Sequence, residues 1–206
     1  MIDDASRYRW EPFAPEAVRS VMEPYSGLWW IAGGWALDLW LGARRRPHKD
    51  LDIAVLRADH RELRDLLDTW DLWFAHPDQK VAPFQLLDRW EGARLDPPLH
   101  AVWARRSSED PWFCEFLINE HHDRDWIFRG QPIERPLDSI GLIIDGLPVL
   151  CPELVLLYKS EEPEANSADM RAAWPYLSTE SSEWLKTSLR VLDARHPWLQ
   201  PPRSGY

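Results

Sequence analysis

Cysteine is scarce in this chain. Cys114 and Cys151 are the only two, too few for a disulfide framework. A basic surplus is missing as well: 24 lysines and arginines stand against 34 aspartates and glutamates, a formal net charge of −10. Such a surface repels phosphodiester backbones, so nucleic acid is disfavoured as a partner and small cations are favoured. No apolar run reaches the roughly 20 residues of a membrane span. The most hydrophobic stretch, 27–42, is broken by Asp38 and two internal glycines. The opening MIDDASRYRW has neither the basic start nor the apolar centre of a secretory signal. These absences imply a cytoplasmic protein with reduced thiols and no membrane segment. Repeats and low-complexity tracts are also absent, and the 18 prolines are scattered rather than gathered into a linker.

What is present suffices for a packed core. The 206 residues are 45% apolar and include 14 tryptophans, which fits one good-sized domain or a domain with a small appendage. Val18, Val21 and Met22 follow helical spacing between Pro15 and Pro24, and Leu28–Ala32 is an apolar run of strand length. Gly33-Gly34 turns the chain into a short helix from Trp35 to about Leu41, closed by Gly42. Leu51–Val55 reads as the next strand. Asp59 and Glu62 then resemble a capping box, ahead of a helix carrying Leu63, Leu66, Leu67 and Trp70 on one face.

Strand signals follow at Leu72–Ala75, His100–Arg105, Trp112–Ile118 and Trp126–Arg129, with 78–98 ambiguous. Asp145-Gly146 predicts a hairpin between Ile140–Ile144 and Pro148–Leu150. Beyond Cys151 the pattern becomes helical: one helix opens at Pro152, and others span about Ser167–Trp174 and Ser182–Ala194. The order implies a mixed α/β body over 1–150 and a helical lobe over 151–206.

The chemistry concentrates in Ile31–Gly42 and Arg46–Ile53. Asp50 and Asp52 are two apart on an expected strand, so both carboxylates leave one face and can converge on a hard cation, while Leu51 and Ile53 turn inward. Upstream, Gly33-Gly34 joins a strand to a helix N-terminus, where bare backbone N–H groups suit phosphate oxygens. Each half alone has an ordinary reading, a solvated acidic pair or a plain turn. In this order they suggest phosphoryl or nucleotidyl transfer.

On these residues the chain resembles the nucleotidyltransferase superfamily of DNA polymerase beta, whose signature is a Gly-Gly or Gly-Ser turn followed by such an acidic pair. It is more closely similar to the small antibiotic nucleotidyltransferases that modify aminoglycosides and lincosamides. They share a Gly-Gly-Trp-Ala-like turn and an Arg-x-His-x-Asp-x-Asp run, matched here by Gly33, Gly34, Trp35, Ala36, Arg46, His48, Asp50 and Asp52. The resemblance implies a polymerase-beta-like mixed sheet with flanking helices and a C-terminal helical lobe. It also implies a third carboxylate on a neighbouring strand. Glu115, the one charge in Trp112–Ile118, offers it, although relatives often carry Asp there; the alternatives are a solvent-facing edge position or an arginine partner.

The implied mechanism uses Mg²⁺ and a nucleoside triphosphate, ATP by expectation. Two Mg²⁺ ions on Asp50, Asp52 and Glu115 would clamp the triphosphate, with Glu115 taking the acceptor proton. Gly33, Gly34, Arg46 and His48 would meet phosphates. Pro152–Lys159 looks like the family segment that opens the helical lobe and makes Lys159 a triphosphate ligand. The acidic stretch 161–165 departs from the basic residues of relatives and would weaken nucleotide binding.

The acceptor implied is a hydroxyl of a small molecule, such as a cationic aminoglycoside, drawn in by an acidic rim of Glu120, Asp123 and Asp125. A protein or tRNA acceptor is the alternative within the superfamily. A non-catalytic nucleotide-binding module is the alternative outside enzymes, and a glycosyltransferase Asp-x-Asp would need no glycine turn. The tryptophans are read as core, with Trp35 or Trp112 able to stack on a base or sugar. His121 and His122 are read as a solvated turn past a strand end.

Overall fold

The computed structural model describes residues 8–81 and 84–200. In chain order the elements are α1 (Pro15–Met22), β1 (Trp29–Ile31), α2 (Gly33–Leu41), β2 (Asp52–Leu56), α3 (His60–Leu66), β3 (Asp71–Val81), β4 (Phe84–Arg89) and β5 (Ala101–Arg105). They continue with β6 (Cys114–His122), β7 (Asp125–Ile127), β8 (Glu134–Pro136), β9 (Gly141–Ile144), β10 (Leu147–Leu150), α4 (Pro152–Lys159), α5 (Ser167–Ala173) and α6 (Thr179–Leu192).

The strands form one mixed sheet in the order β4-β3-β5-β6-β2-β1-β10-β9, with β7 and β8 extending from the far end of β6. Two neighbour pairs are parallel, β2 with β6 and β1 with β10. β2 sits mid-sheet, and Ile53–Leu56 is a continuous buried run, as expected of a strand covered on both faces. Helix α4, buried from Pro152 to Leu157, packs between α2 and α6 and carries the C-terminal helices onto the body. A second small core of Ala75, Trp103 and Trp112, with Tyr8 and Trp10 against it, lies beside the main one; Trp10 and Trp103 meet edge to face at 4.9 Å.

Several sequence expectations are corrected here. Helix α2 begins at Gly33, not Trp35, so both glycines are its first residues; Gly33 has φ +58°, accessible without strain only to glycine. β2 begins at Asp52, leaving Asp50 and Leu51 in the segment before it. Glu62 does not cap α3: a short 3-10 turn over Arg57–Asp59 precedes that helix, and the Glu62 carboxylate instead accepts the Ser26 backbone N–H at 2.7 Å.

The ambiguous 78–98 region holds the end of β3 and all of β4, apart from 82–83, which lie outside the described residues. β7 is shorter than expected, with Arg129 in the left-handed region at φ +45°. α6 starts at Thr179, where the Ser178 hydroxyl accepts the Ser181 N–H. His121 and His122 belong to β6 itself, paired with Trp126 and Asp125. Trp112 is fully buried in the small aromatic core, which removes it as a stacking surface for a ligand. The Asp145-Gly146 hairpin forms as its dipeptide predicts, with both residues at positive φ.

Candidate active site

Sheet register builds the acidic cluster. In the parallel pairing of β2 and β6, Asp52 lies directly beside Glu115, and the Glu115 N–H donates to the Leu51 carbonyl at 2.9 Å. Parallel neighbours in register put their side chains on the same face, so the two carboxylates meet. Asp50 reaches the same place from the chain just ahead of β2. Carboxylate oxygens of Asp50, Asp52 and Glu115 lie within 4.8 Å of one another. β6 is an interior strand, so the edge reading of Glu115 does not apply.

Three converging carboxylates repel in the absence of a counter-charge. Burial, with Asp50 adding to it, pushes the Glu115 carboxyl up to about 7. Asp52 is raised well above the ordinary carboxylate range by burial and by its neighbours Asp50 and Glu115, while Lys159 and Arg46 pull the other way. All-oxygen, anionic and clustered, this donor set fits Mg²⁺.

The helix N-terminus closes on that cluster from above. The Ala32 N–H donates to the Asp52 carbonyl at 2.9 Å, which fixes the start of α2 against β2. A Cβ on Gly33 would sit 1.7 Å from Asp52 Oδ2, and one on Gly34 would come within 2.7 Å of His48 Nδ1 and 2.8 Å of an Arg46 guanidinium nitrogen. The two glycines are thus the gap through which the acidic pair and the basic loop approach one helix end.

Arg46, His48 and Lys159 gather around it, each tethered by a carboxylate that sequence reasoning missed. His48, buried with its ring tilted against Trp35 at 4.4 Å, donates from Nε2 to Asp38 at 2.7 Å. Asp38 also accepts from the Arg45 backbone N–H and Nε, at 3.0 and 2.6 Å. Asp169 of α5 takes Lys159 at 2.8 Å, Arg45 at 3.2 Å and Arg46 at 3.3 Å. Burial raises the Asp169 carboxyl, but Lys159 and Arg46 outweigh it and hold the group below the usual range.

Asp38 could have been found as the lone charge inside the apolar stretch 27–42. Asp169 has no such signal. Beside the cluster a cleft of about 500 Å³ runs from Gly33 and Asp52 past Tyr158 and Lys159 to Arg129 and Glu161. The last two form an ion pair at 2.8 Å. Glu120, expected on an acidic rim, is held by Arg57, while Asp123 and Asp125 stand at the turn between β6 and β7, at the far end of β6 from Glu115.

The family model for aminoglycoside-2''-adenylyltransferase matches residues 16–82, which include Gly33, Gly34, Arg46, His48, Asp50 and Asp52. This supports the resemblance read from the glycine turn and acidic pair. No curated protein matches the chain significantly. Among solved structures, the antibiotic-resistance factor ANT(2'')-Ia in solution superposes with a TM-score of 0.53 at 16% identity, over 87% of this chain and 91% of that one. ANT(2'')-Ia in complex with adenylyl-2''-tobramycin gives 0.52 at 17%, over 85% and 96%. The lincomycin-bound lincosamide adenylyltransferase LnuA gives 0.48 at 14%, over 77% and 92%. At these identities the two ANT(2'')-Ia superpositions establish a shared fold, a mixed sheet with flanking helices. No helix among the described residues is long and apolar enough to cross a membrane.

Proposed function

We propose that this protein is a Mg²⁺-dependent nucleotidyltransferase that moves AMP from ATP to a hydroxyl of an aminoglycoside-type antibiotic. The observation that carries the reading is the meeting of Asp50, Asp52 and Glu115 beneath the Gly33-Gly34 helix start. The family match over 16–82 supports the chemistry and the acceptor class. Asp50, Asp52 and Glu115 would hold the metal. A divalent ion at these carboxylates would supply positive charge to the triphosphate and to the departing pyrophosphate.

The chain's own groups do the rest. Backbone N–H groups at the start of α2 face the phosphates, where no side chain obstructs them. Lys159 on the cleft and Arg46 beside Gly34 supply positive charge, and His48, buried and held by Asp38, packs against Gly34. Glu115, at the edge of the cluster where the acceptor hydroxyl must arrive, takes the proton of that hydroxyl. The hydroxyl oxygen bonds to the α-phosphorus as the bond from that phosphorus to the bridging oxygen breaks, and pyrophosphate leaves with the electron pair. The net charge of −10 favours a polycationic acceptor over a polyanionic one.

Incubating the protein with Mg²⁺, each of the four nucleoside triphosphates and a panel of aminoglycosides and lincosamides, then weighing the acceptors by mass spectrometry, tests the reading. An aminoglycoside heavier by one AMP residue is the expected product. Unchanged acceptors throughout would overturn the acceptor class.

A further inference from the structure

Lys159, Arg46 and Arg45 come from the end of α4 and from the loop before β2, yet they converge on one carboxylate. Asp169 sits on α5 with its side chain only 6% exposed. Its Oδ2 takes both Lys159 and Arg46, and its Oδ1 takes Arg45. Cations this close would otherwise repel and splay into solvent.

The tether leaves the cations able to bind something else. Lys159 has three N–H bonds; one goes to Asp169 and one to the Asn166 side-chain oxygen at 3.2 Å, leaving a third. Arg46 has five donors, and among the described residues two partners, Asp169 and the Pro47 carbonyl, take them, with its side chain 45% exposed. Lys159 lines the same cleft as Gly33 and Asp52. Gly34 leaves space for the Arg46 guanidinium at the start of α2.

We propose that Asp169 is a positioning residue for the nucleotide: it holds Lys159 and Arg46 together so that their spare donors converge on the triphosphate beside Gly33-Gly34. The proposal rests on the nucleotidyltransferase reading. Asp169 itself touches no phosphate and acts through the two cations. Losing its charge disperses them and weakens ground-state binding of the nucleotide more than it slows the chemical step.

The test is a cycle of Asp169→Asn, Lys159→Gln and the double variant, with KM for ATP and kcat measured on the acceptor found for the wild type. Asp169→Asn is expected to raise KM about tenfold or more while kcat falls much less, as loss of a charge-assisted contact does. In the Lys159→Gln background the same change should have a clearly smaller effect, because half of its action has already gone. An equal effect in both backgrounds, or an unchanged KM, overturns the proposal.

If Asp169→Asn does not fold, the wild type gives a second reading. Lys159 is one of four lysines, with Lys49, Lys80 and Lys186, so isotope-labelled reductive methylation yields few resonances. The Lys159 signal should move when Mg²⁺-ATP is added, and a signal that stays fixed overturns the proposal. A wild type that neither binds ATP nor transfers AMP would instead refute the function itself, which separates the two failures.

Discussion

Removing the charge of Glu115 should make the protein more stable at alkaline pH when no metal is present. The carboxyl is raised from 4.5 to about 7 in the folded state. The folded protein therefore holds this proton more tightly than the unfolded chain, and acid favours folding. The penalty is nil below about pH 4.5, grows as pH rises from there to about 7, and is complete above it. A displacement of this size corresponds to at most about 3 kcal/mol. For a chain of this length each kcal/mol moves Tm by roughly 2–4 °C, so the full effect is roughly 6–12 °C.

Asp52 contributes in the same sense and Asp169, whose carboxyl is lowered, in the opposite one. The difference between wild type and Glu115→Gln reads Glu115 together with the part of the Asp52 shift that Glu115 causes, and both act in the same direction. Thermal melts followed by circular dichroism in EDTA, from about pH 5 to about pH 8, should show wild-type Tm falling further than that of the variant. Excess Mg²⁺ should return most of the wild-type loss, because a ligand that binds the ionised cluster stabilises the folded state. Parallel curves for the two proteins in EDTA would refute the reasoning.

Gly33→Ala should be severe: its Cβ would fall 1.7 Å from Asp52 Oδ2 at a residue with φ +58°. We expect at least about a hundredfold loss of transfer from the displaced carboxylate, measured as kcat/KM beside a melt showing that the fold survives. Asp38→Asn replaces an acceptor of three donors by a group with one carbonyl oxygen, and should cost about 1–3 kcal/mol in urea unfolding. Trp112→Ala empties a fully buried site in the aromatic core and should cost about 3–5 kcal/mol in the same assay.

Local chemistry was legible in the sequence, and long-range tethering was not. Gly33-Gly34 and Asp50-x-Asp52 could be read because turn, helix start and strand lie within twenty residues and each has its own residue signature. Glu115 was visible as a charge in an apolar strand, since such a charge needs a partner. The same logic applied to Asp38 would have found the anchor of His48, but there the charge served only to exclude a membrane span. Asp169 lies among small and polar residues of α5 and shows its role only when α4, α5 and the loop before β2 are packed together. β8, three residues with Arg135 between Glu134 and Pro136, offers no alternation to read. Glu62 fitted a capping box by spacing, yet a tertiary partner at Ser26 won because it supplies two donors to one carboxylate.

The central claim is that the group transferred is a nucleoside monophosphate and that the acidic cluster transfers it. Phosphorus NMR of one reaction containing ATP, Mg²⁺ and an aminoglycoside follows every phosphorus atom at once, with Asp52→Asn run beside the wild type. The account predicts pyrophosphate and an AMP phosphodiester on the acceptor in equal amounts from the wild type, and neither from the variant. ADP with a phosphomonoester on the acceptor, or undiminished transfer by Asp52→Asn, would contradict it.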